Sequence, residues 1–189
     1  MSRIDCSFFE RDPATCAREL IGATFQWDES SGRIVETEAY FSEDDPACHT
    51  FFRPSARRFV EEKAPGTAYV YLNYGVHWLF NVLVKGPDGA GFVLFRALEP
   101  LRGVDHMEQR RGQMPRTQLC AGPGCLTRAL GIDGGAHGAN FLGSERRLIS
   151  LAPAKTVVTG SRIGISRGLE LQWRFGERGH PCLSRKFGQ

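Results

Sequence analysis

Two glutamates and a tyrosine alternate within residues 32–40 (GRIVETEAY), a segment whose other positions are typical of a β-strand. Side chains in a strand point alternately to the two faces of a sheet, so Glu36, Glu38 and Tyr40 are predicted to share one face. Carboxylates can take up protons or pair with cations, and an aromatic ring offers a flat apolar surface. Such polarity in a core strand indicates a task beyond packing. The alternative is an edge strand with solvated glutamates, because glutamate is rarely buried without a partner.

An arginine and a tyrosine elsewhere occupy positions that packing alone explains poorly. Arg96 follows the apolar run of residues 92–95, where a buried guanidinium needs an acceptor. That acceptor is either a structural salt-bridge partner, a substrate phosphate or a catalytic carboxylate. Tyr74 lies in the turn Asn73-Tyr74-Gly75, at the tip of a predicted hairpin. The alternative for Tyr74 is a ring folded back onto a neighbouring strand.

Residues 41–65 have no regular periodicity, and we predict a long surface loop with one helical turn there. Their aromatic content argues against disorder, and loops of this length in a compact domain are usually functional. Basic residues among aromatics would suit the backbone of a nucleic acid; those concerned are Phe51, Phe52, Arg53, Arg57, Arg58 and Phe59.

The remaining pattern predicts an α+β protein with one domain over residues 1–189, because no repeat, linker or composition break divides the chain. A first helix is predicted with Asp12 as N-cap, Pro13 as its first residue and Gly22 just past its end. Two further helices are predicted over residues 100–111 and after Gly122-Pro123-Gly124. Strands are predicted over residues 23–27, 33–40, 67–72, 76–84, 92–98, 148–151, 156–160, 162–165 and 171–175, the first two joined as a hairpin by residues 28–32.

Composition restricts the class of protein. A net charge of +3 neither requires nor excludes a polyanion partner. Arginine greatly outnumbers lysine, which suits phosphate binding but also follows from a GC-rich genome. The six cysteines form no C-x-x-C pair, so neither a zinc site nor a disulfide scaffold is indicated. With neither a signal-peptide core nor an apolar run of membrane-spanning length, the sequence predicts an intracellular protein with no membrane association.

Seven blocks of the sequence, in order and approximate spacing, resemble the alkyladenine (3-methyladenine) DNA glycosylases of the mammalian type. They are residues 32–40, 48–49, 65–71, 74–78, 96–101, 119–124 and 162–165. The resemblance implies a single compact α+β domain around a curved antiparallel sheet, with surrounding short helices and a protruding β-hairpin that enters the DNA minor groove. Such an enzyme must take the damaged nucleotide out of the stack. At the tip of that hairpin, Tyr74 would be the side chain that intercalates and holds the gap.

The resemblance also implies a role for each matching residue. Glu38 would be the general base that activates water for attack at C1′ of the deoxyribose, and Arg96 would position this water and the phosphate of the flipped nucleotide. The flipped base would bind between Tyr40 on one side and Tyr71 with His49 on the other. Asn81 would exclude the 2-amino group of normal guanine. We assign Glu36 a supporting, structural role.

The expected activity is hydrolysis of the N-glycosidic bond of alkylated or deaminated purines, such as 3-methyladenine, 7-methylguanine, hypoxanthine and ethenoadenine, without strand cleavage. No metal or cofactor is required by this chemistry. The expected partner is double-stranded DNA containing damaged purines, the expected state a monomer, and the expected location the cytoplasm and nucleoid of a bacterium or the nucleus of a eukaryote. Two alternatives are a non-catalytic lesion-binding protein that keeps the flip pocket and an RNA-binding domain of related sheet topology.

The sequence departs from the family pattern at two places. Cys125 stands where the family often has lysine after the Gly-Pro-Gly-like turn, which removes one expected DNA contact. Residues 58–63 (RFVEEK) replace the usual pattern before Pro65-Gly66, which affects how this segment closes over the base pocket and how broad the lesion range is.

Overall fold

The segment with the two glutamates lies inside a sheet rather than at its edge. The structure is a computed structural model that describes residues 3–140, 142, 146–149 and 156–188. Within these residues one antiparallel sheet has nine strands in the order β1-β7-β2-β3-β6-β5-β4, with β9 paired to β3 and β8. The strands are β1 (Arg3–Ile4), β2 (Thr24–Trp27), β3 (Ser30–Phe41), β4 (Ala68–Asn73), β5 (His77–Gly86), β6 (Gly89–Arg102), β7 (Arg146–Ile149), β8 (Val157–Gly160) and β9 (Arg174–Glu177).

Short helices accompany this sheet. They are α1 (Pro13–Glu19), α2 (His49–Phe52), α3 (Pro54–Glu62), α4 (Val104–Arg111) and α5 (Pro123–Leu130), with three-residue or four-residue 3-10 helices at Cys6–Phe9, Arg116–Gln118 and Gly134–Ala136. The predicted α+β class is therefore confirmed. Over the described part of the chain, no helix is long and apolar enough to cross a membrane.

Strand β3 is covered on both sides by other strands. It pairs with β6 from Ser31 to Phe41, with β2 near its start, and with β9 from Glu36 to Glu38. Register shifts on either side of Glu36 mark a β-bulge, which locally re-aims side chains. Both glutamates are fully buried, at 0% exposure. The alternative of a solvated edge strand is therefore wrong.

The first helix forms as predicted, and its cap explains why. The Asp12 side chain accepts a hydrogen bond from the Thr15 amide at 2.9 Å, and Pro13 takes the first helical position. Helix α1 ends at Glu19, three residues before the predicted Gly22. The Thr37 hydroxyl of β3 donates to the carbonyl of Ala17 at 2.7 Å, which ties the helix to the central strand.

Three hairpins connect strands of the sheet, and the first two of them were predicted. Strands β2 and β3 are joined by only Asp28 and Glu29, since β3 already begins at Ser30 rather than at residue 33. Strands β4 and β5 are joined by residues 74–76, and β5 and β6 by Pro87 and Asp88.

Four predicted elements differ from the structure. Residues 41–65 contain two helices, α2 and α3, rather than a loop with one turn. Helix α3 buries Ala56, Phe59 and Val60, a helical spacing that the intervening arginines obscured. The helix predicted from residue 100 begins at Val104, because β6 continues to Arg102. Residues 162–165 form a loop, and the last predicted strand begins at residue 174 rather than 171.

The other predicted C-terminal strands are partly described. Residues 157–160 form β8 as expected. Of the strand predicted over residues 148–151, the first two residues belong to β7 and the last two lie outside the described residues.

Of the three apolar clusters in the described residues, the two largest contain the buried aromatic rings. The larger contains Phe25, Phe80 and Phe95, whose ring centroids lie 5.1 to 5.3 Å apart. The smaller packs α3 against β4, β5 and β6 and includes Phe59, Tyr69 and Phe92. The rings of Tyr69 and Phe92 are stacked with centroids 4.4 Å apart, and both residues also line the cavity described below.

Candidate active site

A cavity of about 720 Å³ opens between the sheet, the α2 helix, the start of α5 and the loop of residues 163–167. This volume lies within the roughly 300–1,000 Å³ typical of small-molecule pockets. Its wall is mostly aromatic and apolar, with a few polar groups. The lining residues are Tyr40, Pro46, Ala47, Cys48, His49, Phe52, Tyr69, Tyr71, Asn73, Tyr74, His77, Leu79, Asn81, Phe92, Leu94, Arg96, Gly122, Pro123, Gly124, Cys125, Ile163, Gly164, Ile165, Ser166 and Arg167.

The structure brings the residues selected from the sequence to this one cavity. Six of them line it: Tyr40, His49, Tyr71, Tyr74, Asn81 and Arg96. Glu38 is different, because its side chain is fully buried and is hydrogen-bonded to two of these residues, Tyr40 and Arg96.

Glu38 is held by three donors. Its Oε2 accepts hydrogen bonds from the Tyr40 hydroxyl at 2.8 Å and from Arg96 Nη1 at 3.2 Å. Its Oε1 accepts one from the Ile163 amide at 2.7 Å. Burial raises the pKa of the Glu38 carboxyl, and these donors together with the charge of Arg96 oppose that rise. A carboxyl with a raised pKa is better matched to accepting a proton at neutral pH than an exposed one.

Arg96 bridges the two carboxylates of β3. Its Nε donates to Glu36 Oε1 at 3.0 Å, while Nη1 donates to Glu38. Burial by itself would lower the pKa of Arg96, but the negative charges of Glu38 and Glu36 outweigh this effect. The pKa of Arg96 is therefore raised, and the guanidinium stays charged. Of the acceptors considered for Arg96, the structure shows two carboxylates. The prediction that Glu36 and Glu38 share one face of the strand is also confirmed, because the single side chain of Arg96 contacts both carboxylates.

Glu36 binds groups from the end of the described chain. Its Oε1 accepts from Arg174 Nε at 2.7 Å and from the Ser184 hydroxyl at 2.8 Å, and its Oε2 accepts from the Ser184 amide at 2.6 Å. These contacts fix the carboxylate and, through it, Arg96. Neither Arg174 nor Ser184 could be recognised from a local sequence pattern, because both lie more than 130 residues from Glu36.

His49 and Tyr71 form an aromatic pair on the cavity wall. Their ring centroids lie 4.3 Å apart, and His49 Nδ1 is 3.0 Å from the Tyr69 hydroxyl. Burial and the nearby charge of Arg53 lower the pKa of His49 to about 4. The imidazole is therefore neutral at physiological pH and presents an uncharged ring to the cavity.

Tyr40 rests on a buried ion pair. The Arg162 guanidinium lies over its ring, 4.6 Å from the centroid, and forms two hydrogen bonds with Asp45 at 2.5 and 2.8 Å. Arg162 Nη1 also donates to the Ala39 carbonyl at 3.0 Å. Asp45 was not among the residues predicted for the site, and Arg162 was predicted to lie in a strand. The available signal was a charged residue within a block of apolar and glycine positions, which implies a buried partner.

Asn81 and Tyr74 are placed very differently. The Asn81 side chain is buried and donates to the Tyr69 carbonyl at 3.1 Å. Tyr74 is 86% exposed at the tip of the β4–β5 hairpin, with positive φ of 50°. The alternative of a ring folded back onto the sheet is therefore wrong. Leu72 and Val76 are also exposed beside it, so the tip is apolar.

The two sequence departures both lie close to the cavity. Cys125 lines it at the start of α5 and is a free, half-buried thiol. The segment of residues 58–63 belongs to helix α3 and its end, and supplies Phe59 to the wall behind Tyr69. Among the residues that the structure describes, no group of three or more His, Cys, Asp or Glu side chains is placed to hold a metal ion.

Comparison with known proteins identifies the family. A model of the methylpurine-DNA glycosylase family matches residues 7–181. A protein of Nitrosospira multiformis is 44% identical over 96% of this chain and 93% of its own length. One of Agrobacterium fabrum is 45% identical over 96% and 92%, and one of Chlorobaculum tepidum is 38% identical over 98% and 92%. Each of the three is named as an inferred 3-methyladenine DNA glycosylase. This chain belongs to the methylpurine-DNA glycosylase family, and it is a DNA repair enzyme that hydrolyses N-glycosyl bonds.

Proposed function

We propose that this enzyme flips an alkylated or deaminated purine out of duplex DNA and hydrolyses its N-glycosidic bond with water activated by Glu38. One observation carries the proposal: the buried Glu38 is hydrogen-bonded to Tyr40 and Arg96, and both of these line an aromatic cavity. The Glu38 carboxylate therefore lies next to wall residues of a pocket of suitable size for a nucleoside, which supports its role as the general base.

The base would stack in this cavity. Tyr40 lies on one wall, and Tyr71 with His49 on another. Stacking on an aromatic side chain contributes about 1–3 kcal/mol per base in comparable single-strand sites. An alkylated purine is electron-poor and would stack more strongly. The neutral state of His49 suits this role, since a cationic base such as 3-methyladenine would be repelled by an imidazolium.

Asn81 would discriminate against normal guanine. Its side chain is buried at the cavity wall and is tied to the Tyr69 carbonyl, so it cannot turn aside easily. A 2-amino group would collide with it, whereas adenine-derived lesions lack that group.

The chemistry requires charge stabilisation as well as a base. The transition state of glycosidic hydrolysis has oxocarbenium character, and a carboxylate beside C1′ would stabilise it while it accepts the proton of water. Arg96, which Glu36 holds in place, would orient the water and the flipped phosphate. One carboxylate can suffice for 3-methyladenine, because this base already carries a positive charge. Neutral lesions such as hypoxanthine need protonation as they leave.

The product would be an abasic site in an intact strand. None of the lysines in the described residues lines the cavity, which supports water rather than a Schiff-base lysine as the nucleophile. The substrate would be duplex DNA inside the cell, bound by one copy of the chain. The relatives compared above are bacterial, which favours the nucleoid as its place of action.

A panel of duplexes tests this function. Labelled duplexes that each contain one ethenoadenine, hypoxanthine or 3-methyladenine are incubated with the protein and then treated with alkali to cleave abasic sites. We expect cleavage at the lesion strand only after alkali. A protein that bound these duplexes without cleaving any of them would contradict the proposal and favour a lesion-binding role. Cleavage without alkali would contradict the monofunctional mechanism.

Tyr74→Ala is expected to lower the population of flipped nucleotide. An exposed aromatic ring at an apolar hairpin tip can fill the gap that a flipped base leaves, and alanine cannot. The measurement is the fluorescence change of ethenoadenine in a duplex on binding, which should become smaller. Leu101→Ala is the control, because Leu101 is also an exposed apolar residue but does not line the cavity. An unchanged signal in Tyr74→Ala would remove Tyr74 from this role.

A further inference from the structure

Near the end of the described chain, residues 182–187 pack against the central strands. Cys182 is buried in the smallest apolar cluster, together with one residue of β3 and one of β6. At the other end of this segment, the Arg174 guanidinium lies over the Phe187 ring, 3.9 Å from its centroid. Ser184 lies between these two anchored side chains, in contact with a carboxylate of β3.

Ser184 contacts both Glu36 and Arg96. Its amide donates to Glu36 Oε2 at 2.6 Å, and its hydroxyl donates to Glu36 Oε1 at 2.8 Å. The same hydroxyl oxygen accepts a hydrogen bond from Arg96 Nη2 at 3.3 Å. A hydroxyl can be a donor and an acceptor at once. The Ser184 side chain is therefore bound to the guanidinium directly, and not only through the carboxylate that the two share.

This contact gives the Arg96 guanidinium a third point of support. Nε donates to Glu36, Nη1 to Glu38 and Nη2 to Ser184. With the first two contacts alone, the guanidinium plane could still tilt about the line that joins them. A third contact away from that line opposes the tilt. A guanidinium has five N–H donors, so two of them remain after these three contacts, one on Nη1 and one on Nη2.

We propose that Ser184 is a positioning residue, which orients the two remaining N–H groups of Arg96 toward the attacking water and the phosphate of the flipped nucleotide. This inference rests on the proposed function, in which Arg96 binds both. Arg96 lines the cavity and Ser184 does not, so Ser184 acts through Arg96 and not on the substrate. Ser184 also lies beyond residues 7–181, the part of the chain that the family model matches.

The competing explanation is that the Ser184 hydroxyl only binds Glu36. Its contact with Glu36 is the shorter of its two contacts, 2.8 Å against 3.3 Å. In that case the hydroxyl contributes to stability like other hydrogen bonds inside the protein, and Arg96 keeps its orientation without it. Folded Ser184→Ala protein would then excise a lesion at the wild-type rate.

Ser184→Ala separates the two explanations, because it removes the hydroxyl and leaves the amide contact with Glu36. Single-turnover excision of ethenoadenine is measured over a range of enzyme concentrations, with the folded fraction determined by circular dichroism. We expect the maximal rate to fall by about 10-fold to 10²-fold, since displacement of a reacting group by about 1 Å can cost about 10²-fold. The enzyme concentration at half-maximal rate should change little, because the aromatic walls are intact. A maximal rate equal to that of wild type would overturn the proposal.

Two controls separate loss of this hydroxyl from a general loss of packing. Ser184→Thr keeps a hydroxyl at this half-buried position and should excise within a few fold of the wild-type rate. Thr67→Val removes a hydroxyl that donates to the Ala64 carbonyl at 2.7 Å, from a residue that is 8% exposed and does not line the cavity. The Thr67→Val enzyme should keep the wild-type rate. If either control lost as much activity as Ser184→Ala, the positioning role would be wrong.

Arg96→Lys distinguishes failure of this inference from failure of the proposed function. Lysine keeps the charge but has one nitrogen, so it cannot make all three contacts. Residues that act as one unit give non-additive losses, so the double variant Arg96→Lys/Ser184→Ala should be about as slow as Arg96→Lys alone. Multiplied losses in the double variant would overturn the proposal.

The two single variants complete this test. If Arg96→Lys excised ethenoadenine as fast as wild type, the role of Arg96 in the proposed function would be wrong, and the role of Ser184 with it. If Arg96→Lys were slow and Ser184→Ala kept the wild-type rate, only the role of Ser184 would be wrong.

Discussion

Glu38→Gln is expected to lower the single-turnover rate of base excision by about 10²–10⁴-fold, the usual contribution of a general base. Glutamine keeps the size of the side chain and still reaches Tyr40 and Arg96, but its amide cannot take up a proton at neutral pH. Binding of a lesion duplex should be retained, because Glu38 does not line the cavity. The measurement is excision of ethenoadenine under enzyme excess.

Glu99→Gln is the control for this variant. Glu99 lies on the adjacent strand β6 and has a side chain that is 40% exposed in its salt bridge with Arg33, away from the cavity lining. The Glu99→Gln enzyme should excise ethenoadenine at the wild-type rate. A Glu38→Gln enzyme within a few fold of wild type would show that another group activates the water.

Asp45→Asn is expected to lower the free energy of unfolding by about 3–5 kcal/mol, the cost of leaving one partner of a buried ion pair without its counter-charge. Both side chains of the Arg162–Asp45 pair are 0% exposed, so water cannot replace the lost charge. Urea denaturation measures the change. Excision should also slow, because Arg162 supports the ring of Tyr40.

Two further variants test this explanation. Asp28→Asn removes the partner of Arg146 in an ion pair whose side chains are 40% and 37% exposed, and it should cost at most about 1 kcal/mol. The double variant Asp45→Asn/Arg162→Leu should be more stable than Asp45→Asn alone, because no charge is then left buried. A loss below about 1 kcal/mol in Asp45→Asn would contradict the ion-pair account.

Alternation along a single strand was enough to predict that three of its residues share one face, but not how deeply they are buried. Glu36, Glu38 and Tyr40 were correctly placed on one face because the strand period is local. Their burial depends on Arg174, Ser184 and the Ile163 amide, which are distant in sequence. No periodicity within residues 32–40 carries that information.

The wrong predictions have a common physical origin in tertiary contacts. Helix α3 was missed because its surface arginines interrupt the apolar pattern, and only the packed cluster with Tyr69 and Phe92 reveals its buried face. Residues 162–165 have a strand-like composition. In the structure, however, the Arg162 side chain donates hydrogen bonds to Asp45, and the Ile163 amide donates one to Glu38. These contacts determine a loop where propensity alone favours a strand.

The link between Glu36 and the far end of the described chain has a consequence for biosynthesis. Strand β3 leaves the ribosome long before Arg174 and Ser184, the residues that neutralise and cap its first glutamate. Domains fold as units while they are synthesised from the N-terminus. Until Arg174 has emerged, Arg96 has to serve both Glu36 and Glu38, so one negative charge at the centre of the sheet lacks its partner. Completion of this buried charge network is therefore expected to be one of the last folding events, and a chain that ends before Arg174 is expected to lack it.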